Sequence, residues 1–499
     1  MMTAGILIVV IFLIVAALMF LRKLPTILAL PLMAIAIGFV EVFLGHLSVN
    51  DLLLVVVADG SQRLIEPMII TMFGGMLSVL LQKSGVAERL VKMGAEFAGS
   101  NPFVVAAIIL FIVGILFTTI TGLGAVIMVS TIALPILASV GLKEEAAGGI
   151  MLFGISLGGL LNLNNWAVYK NVLSISPSEI YSYAFVLFLI QIPVALLFVV
   201  LNLWRAKQIQ LSPGRILRWI ALLAGFAAIM RETYVYLLGS RNTDGLDYII
   251  QLITAAFGVV ILLFIIIDKF SSFRKSNYRD IRWYNYLIPI VPLILILVYR
   301  VHFVNAFFLA FIYGVISTLR KDTMRLASRS IIEGVSSVVP VIVLMIGIGM
   351  LLSAILGPAA SLKYGAASHI NASLREWPVV EAMKPLFMSI VPTSFWSYVI
   401  GFGLLAPLAL YRGPMNVWGL GYGVAGILLS TGQLNPPSIM GVLMSLSVVQ
   451  GISDPTNTQN VWIANELRVD VNLLMWRTLP YAWLTALFGL LVAGLRFLK

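Results

Sequence analysis

The stretch "GISDPTNTQNVW", residues 451–462, lies between apolar runs in a chain whose residues are 61% hydrophobic. Positions 454–460 concentrate one aspartate, two threonines, two asparagines and one glutamine around a proline. An unpaired polar group inside a bilayer costs several kcal/mol, so such a stretch needs a structural or functional reason. Asp454 precedes Pro455, which disfavours a continuing helix and predicts an interrupted membrane helix here. An exposed turn between two spans is the competing interpretation, because Asp-Pro and Asn are common turn residues.

The composition of the whole chain is typical of a membrane protein. Only 11% of the 499 residues are charged, and the mean hydropathy is +1.04. Apolar runs of roughly 17–25 residues, the length that crosses a bilayer as a helix, recur from end to end. We therefore expect an all-α polytopic membrane protein with about twelve transmembrane segments. The chain has no cysteine, which excludes disulfides and thiolate chemistry.

The basic residues predict how the chain is oriented in the membrane. They cluster in short loops, and the positive-inside rule places such loops in the cytoplasm. These loops are 22–23, 83–92, 205–218, 269–282 and 320–329. The net charge of +11 therefore indicates a lipid bilayer and not a nucleic acid as partner. The expected location is the plasma (inner) membrane, as a multi-pass protein.

Similar segments recur in the same order in the two halves of the chain. A shift of 273 residues takes Pro67 onto Pro340, and a shift of 272 takes Pro135 onto Pro407. Basic residues follow the earlier spans but precede their counterparts, so corresponding helices should run in opposite directions. Inverted repeats of this kind are a common architecture of secondary transporters. The predicted parts of this single membrane domain are a first repeat over 1–182, three connector spans over 183–283 and a second repeat over 284–499.

Four polar breaks interrupt the apolar segments, in two pairs. "FTTITGLGA" (117–125) pairs with "VPTSFWSY" (391–398), and "NLNNW" (162–166) pairs with the stretch at 451–462. A half-helix that starts at a break directs its positive end at whatever binds there, which suits an anion. The alternative for the first pair is an ordinary kink whose hydroxyls bond to the preceding turn.

These breaks supply the candidate binding residues. The predicted substrate-binding residues are Thr121, Gly122, Asn162, Asn164, Asn165, Thr393, Ser394, Thr456, Asn457 and Thr458. The predicted coupling-ion residues are Thr119, Thr393, Asp454 and Asn457. Asp59 and Glu66 are interpreted as marking the outer boundary of a span, and the alternative is that their neutralisation by a proton is coupled to transport. Lys170, Lys384 and Glu466 are interpreted as interface residues.

The segment "TGLGAVIMVSTIALPILASVGL" from Thr121, followed by a small-residue span and an Asn-rich break, resembles the ion transporter superfamily of secondary carriers. That superfamily includes C4-dicarboxylate, citrate and gluconate permeases. The first pair of breaks resembles its two re-entrant hairpin tips, and the second pair resembles its interrupted helices. The resemblance implies an elevator-type or rocking carrier, often a homodimer, with the substrate between tips and broken helices.

The expected function is secondary active transport of a small organic anion, a carboxylate, coupled to sodium or protons. A cation/proton antiporter that uses Asp454 as the exchanging carboxylate is the alternative. An integral-membrane enzyme is less favoured, because the polar groups lie in mid-chain breaks and not at one membrane face. The chain lacks the G-x-x-x-x-G-K-[ST] motif of ATP-driven pumps. No cofactor and no firm metal site are expected, apart from sodium at the same breaks.

Overall fold

The computed structural model describes residues 2–209, 214, 225, 244–275, 281–320, 322–359, 361–363 and 377–498. Every regular element in these residues is a helix. The predicted connector is therefore described only at its two ends, and its middle span lies outside the described residues.

The helices are labelled in chain order over the described residues. Residues 2–209 form α1 (Met2–Phe20), α2 (Thr26–Phe43), α3 (Val49–Asp51), a π-helix (Leu52–Asp59), α4 (Gly60–Gln62), α5 (Ile65–Ser84), α6 (Val86–Ala98), α7 (Pro102–Phe117), α8 (Leu123–Ser139), α9 (Glu144–Leu160), α10 (Leu163–Leu173) and α11 (Pro177–Arg205). The later helices are α12 (Asp244–Lys275), α13 (Val291–Leu297), α14 (Phe303–Ser317), α15 (Thr323–Leu356), α16 (Pro378–Phe387), α17 (Phe395–Leu405), α18 (Tyr422–Thr431), α19 (Pro436–Ser453), α20 (Thr458–Glu466) and α21 (Val471–Phe497). Short 3₁₀ segments occur at Trp283–Leu287 and Ala406–Ala409, and a second π-helical segment at Val417–Gly421.

In the described residues, eight helical segments are long and apolar enough to cross a membrane. The count is nine if α9 and α10, which meet at a bend of 51°, are taken as one broken span. Five further apolar helices are only 10–17 residues long. The prediction of an all-helical, multi-pass membrane protein is confirmed. The total of about twelve spans stays a prediction, because an apolar helix of half the bilayer's thickness is as hydrophobic per residue as a full span. The two repeats also stay a prediction.

Local sequence explains where several of these helices begin and end. Asn101 accepts hydrogen bonds from the first turn of α7, and Pro102 occupies the first helical position. Ser176 and Glu179 form a capping box at the start of α11. Helix α5 ends at Gly85, whose φ of 82° is readily adopted only by glycine.

The centre of the fold is the antiparallel pair α5 and α15. Gly75 lies so close to the Gly334 carbonyl that a Cβ atom at position 75 would overlap it. Near the start of α5 the backbones approach as closely, because a Cβ at Gly349 of α15 would overlap the carbonyl of Gly60 in α4. Small residues allow backbones to approach in this way, and close packing is a main source of helix association inside a bilayer.

Several predicted cytoplasmic loops end at the same side of this pair. Lys83 at the end of α5 forms a 2.8 Å ion pair with Glu333 of α15. Ile281 lies against Gly85, directly after α5. The packing therefore brings loops 83–92 and 269–282 together with Glu333, four residues after loop 320–329, and the positive-inside rule assigns these three loops to one side of the membrane.

Candidate functional site

Three chain breaks meet around one cavity of about 300 Å³. Gly122, Asn162 and Asn457, which directly precede α8, α10 and α20, all line it. The cavity therefore receives the N-terminal ends of three helices. Seven of the predicted substrate-binding residues form part of its wall. They are Thr121, Gly122, Asn162, Asn164, Asn165, Asn457 and Thr458.

The break between α7 and α8 forms the first wall. Gly122 has a φ of +88°, a conformation that glycine adopts without strain. The Ser78 hydroxyl of α5 donates to the Thr121 carbonyl at 3.2 Å and ties this break to the central pair. Thr119, a predicted coupling-ion residue, is buried and donates its hydroxyl to the Pro289 carbonyl. It does not line the cavity, so the structure places it away from any ligand there.

The break between α9 and α10 is closed by its own asparagines. Asn162 donates from Nδ2 to the Phe117 carbonyl at 2.9 Å, which joins this break to the end of α7. Asn165 donates from Nδ2 to the Gly159 carbonyl at 2.8 Å. These amides satisfy carbonyl groups that the interrupted helices leave without helical partners.

In the break between α19 and α20, three side-chain amides donate to backbone carbonyls in the same way. These hydrogen bonds explain why residues 451–462 contain so many polar side chains. The amide-to-carbonyl hydrogen bonds are Asn457 to Gln450 at 2.7 Å, Gln459 to Gly451 at 2.9 Å and Asn460 to Ile452 at 3.0 Å. The exposed-turn interpretation does not fit this arrangement, because Asn460 and Ile452 are buried. The carbonyls of Gln450, Gly451 and Ile452, which the break leaves without helical partners, therefore already accept N–H donors from the chain itself and are not free for a sodium ion expected at this break.

Asp454 is fully buried and does not line the cavity. Its carboxylate accepts five hydrogen bonds. They come from the backbone N–H of Tyr411 (2.9 Å), Arg412 (3.4 Å) and Thr456 (2.9 Å), from Asn416 Nδ2 (2.8 Å) and from Thr456 Oγ1 (2.7 Å). The Thr456 hydroxyl donates to Asp454, and Thr456 is likewise absent from the cavity wall. Asp454 and Thr456 thus lie behind the wall, contrary to the predicted ligand contacts.

Four polar atoms in the wall have no hydrogen-bond partner among the described residues. They are Thr71 Oγ1, Thr121 Oγ1, Asn164 Oδ1 and Asn164 Nδ2, and all are buried. The Asn164 amide packs against the bare backbone of Gly74 on α5, where a Cβ would lie 2.8 Å from Nδ2. Buried polar groups are nearly always paired with protein, water or ligand. Because these atoms have almost no accessible surface, a polar ligand in the cavity would pair with them once their side chains turn towards it.

The cavity carries positive electrostatic character. Arg412 is the one charged side chain in the wall as described, and Nη1 donates to the Trp418 carbonyl at 3.3 Å. Helices α8 and α20 have no side-chain cap, so their first N–H groups are not satisfied by a capping residue. Each such helix end acts as roughly half a positive charge. The apolar side chains of Val338, Val341 and Leu344 from α15 also line the cavity.

The second predicted hairpin tip is not part of this site. Thr393 and Ser394 are exposed, and neither lines the cavity. Ser394 does start a helix as expected, because it forms a capping box with Ser397 at the start of α17. In place of this tip, the second half of the chain contributes Arg412 and Trp418 to the wall.

Sequence reasoning missed Arg412, which lies in "YRGPMNVWGLGYG" (411–423). The available signal was an arginine in a glycine-rich segment between two apolar helices. Intramembrane arginines are costly and usually functional, so this position merited a place among the candidates.

Other ionisable residues form pairs away from the cavity. Glu66 of α5 contacts Lys170 at 2.8 Å and His302 at 3.2 Å. Over the parts of the chain that are described, no three His, Asp or Glu side chains form a group that could hold a metal ion. Comparison of the chain with models of protein families and with curated proteins gives no match.

Proposed function

We propose that the protein is a secondary active transporter of a small organic anion, a carboxylate, coupled to sodium or protons. One observation carries this proposal. The cavity has Arg412 and two uncapped helix N-termini in its wall, and no acidic side chain among its described lining residues. Helix N-termini and arginine are the groups that proteins use most readily to hold carboxylates.

The wall suggests how such a ligand would lie. A carboxylate fits between the Arg412 guanidinium and the first N–H groups of α8 and α20. Hydroxyl or oxo groups on the ligand would pair with Thr71, Thr121 and Asn164, whose polar atoms have no partner in the part of the chain that is described. The carbon skeleton would face the apolar side of α15. A volume of about 300 Å³ suits a small metabolite and not a lipid or a peptide.

The position of the cavity favours transport over simple ligand binding. Its wall combines interrupted helices from both halves of the chain, as in many secondary transporters. We therefore also propose alternating access between the inverted repeats 1–182 and 284–499, by an elevator or rocking motion, in a homodimer of the plasma (inner) membrane. The oxygens of Thr71, Thr121 and Asn164 would suit sodium, which leaves sodium and proton coupling both open.

The two competing functions have less support. An antiporter that exchanges ions at Asp454 needs that carboxylate to be reachable, and it is fully buried behind the wall. An integral-membrane enzyme would usually present a histidine or carboxylate to its substrate, and the described wall contains neither.

Uptake by proteoliposomes tests the proposal. Labelled succinate, citrate, gluconate and lactate are supplied with and without an inward sodium or proton gradient. We expect gradient-driven uptake of at least one of them. Arg412→Gln should reduce it about tenfold or more, because a hydrogen bond to a charged group contributes about 1.5–3 kcal/mol. Arg205→Gln, at an exposed position outside the cavity, is the matched control and should transport normally.

Two results would contradict the proposal. One is the absence of uptake of every carboxylate under both gradients. The other is uptake that Arg412→Gln and Arg205→Gln affect equally.

A further inference from the structure

The segment that carries Arg412 has an unusual backbone. Tyr411 and Arg412 are consecutive residues with φ values of +53° and +54°. Residues other than glycine rarely adopt this left-handed conformation, and it persists only where the surroundings hold it. The turn therefore depends on contacts from outside its own two residues.

Asp454 supplies those contacts. The N–H groups of Tyr411 and Arg412 both donate to its carboxylate, at 2.9 and 3.4 Å. Asn416 strengthens the arrangement, since its Nδ2 donates to Asp454 Oδ2 and to the Ala409 carbonyl, each at 2.8 Å. Successive backbone N–H groups in a turn form a concave site for an anion, and here the anion is a side chain of the protein.

The same turn determines where the guanidinium of Arg412 lies. Asp454 binds the backbone N–H of Arg412 and not its side chain, so it leaves the guanidinium charge available to a ligand. The Arg412 carbonyl packs against Gly419, where any side chain would overlap it. The side chain then reaches the Trp418 carbonyl, at the wall of the cavity.

We propose that Asp454 is a positioning residue, which fixes Arg412 at the cavity and does not itself exchange an ion or a proton. This inference rests on the proposed function. Four of the five groups bound to the carboxylate are N–H groups, which can only donate, so both oxygens are held as acceptors by the chain itself. An asparagine at position 454 keeps the shape but offers one acceptor oxygen where five donors converge.

A double-mutant cycle tests this role without requiring transport. A single cysteine is introduced into the cysteine-free chain by Thr458→Cys, at an exposed threonine of the cavity wall. Its labelling by a neutral maleimide is measured against rising succinate, citrate, gluconate or lactate. The readout is the carboxylate concentration that halves the labelling rate. It is compared for Thr458→Cys alone and with Arg412→Gln, Asp454→Asn or both.

We expect Arg412→Gln to raise that concentration about tenfold or more, because the ligand loses one hydrogen bond to a charged group. Asp454→Asn should raise it to a similar extent, because the turn that holds Arg412 is released. The double variant should be no worse than Arg412→Gln within about twofold, since coupled residues are not additive. Asn416→Ala removes a partner of Asp454 without touching a titratable group. Asn416→Ala should weaken protection in the same way, and it replaces Asp454→Asn in the test if that variant does not fold.

The outcomes separate this inference from the proposed function. Protection that Arg412→Gln and Asp454→Asn weaken additively would overturn the positioning role and leave the proposed function standing. Unchanged protection in both Asp454→Asn and Asn416→Ala would do the same. If the Thr458→Cys protein takes up a carboxylate that does not protect its cysteine, the cavity is not the binding site and the positioning role is overturned. If the protein without this cysteine takes up none of the carboxylates, the proposed function is overturned with it.

Discussion

Gly74→Ala should weaken ligand binding although Gly74 does not itself line the cavity. The Asn164 amide, which does line it, packs directly against the Gly74 backbone. A Cβ at position 74 would lie 2.8 Å from Asn164 Nδ2, whereas ordinary contacts begin at 3.4 Å. The amide must therefore withdraw by about 0.6 Å or more, the difference between these distances, and it moves relative to a bound ligand.

The expected magnitude follows from two opposing terms. Inserting a methyl group into a packed contact costs about 1–3 kcal/mol. Replacing glycine by alanine in a helix interior returns about 0.5–1 kcal/mol. The net cost is therefore about 0–2.5 kcal/mol, so the melting temperature in detergent should stay the same or fall modestly. The affinity for the carboxylate should fall about tenfold, which corresponds to about 1.4 kcal/mol, because the helix gain does not restore the position of Asn164.

The assay is the carboxylate concentration that halves labelling of the Thr458→Cys protein. Gly114→Ala on α7 is the matched control, because its Cβ would meet Leu157 Cβ at an ordinary 3.6 Å. That variant should be slightly more stable and bind the carboxylate normally. Equal affinity in the Gly74→Ala and Gly114→Ala proteins would refute the assignment of Asn164 to the ligand site.

Three further outcomes are expected. Gly75→Ala should lower the melting temperature more than Gly74→Ala, because the new Cβ meets a backbone carbonyl that cannot step aside; equal melting temperatures would contradict the described α5–α15 packing. Gly122→Trp should abolish carboxylate uptake while Ser394→Trp preserves it, since only Gly122 lines the cavity; the reverse order would restore the α16–α17 tip as the site. Cysteines that replace Lys83 and Glu333, whose long side chains meet with their charged groups 2.8 Å apart, should be joined by a short bifunctional maleimide, which replaces the lost reach of both side chains; failure of that reagent to join them would place these helix ends apart.

The sequence predicts the local features of the site well. A helix begins at each of the four predicted breaks, at Leu123, Leu163, Phe395 and Thr458. These starts depend on short-range chemistry, such as the serine cap of α17 and the glycine before α8. Local signals of this kind are contained within a few residues and can be read without the fold.

The direction in which each polar group points could not be predicted in the same way. The sequence predicts Asp454 as a coupling-ion residue, yet its carboxylate binds the backbone of Tyr411 and Arg412, more than forty residues earlier in the chain. Thr393 and Asn457 have the same two predicted roles, in substrate and coupling-ion binding, but only Asn457 lines the cavity. Long-range packing decides which half-helix ends converge, and a single sequence carries little information on that packing.

The most direct measurement compares labelling of two exposed threonines replaced singly by cysteine. Thr458 lines the cavity, whereas Thr393 lies at the α16–α17 tip outside it. The proposed site predicts that a transported carboxylate slows maleimide labelling of Thr458→Cys at least several-fold and leaves labelling of Thr393→Cys unchanged. Protection of Thr393→Cys alone, or of neither cysteine by any carboxylate that the protein transports, would contradict it.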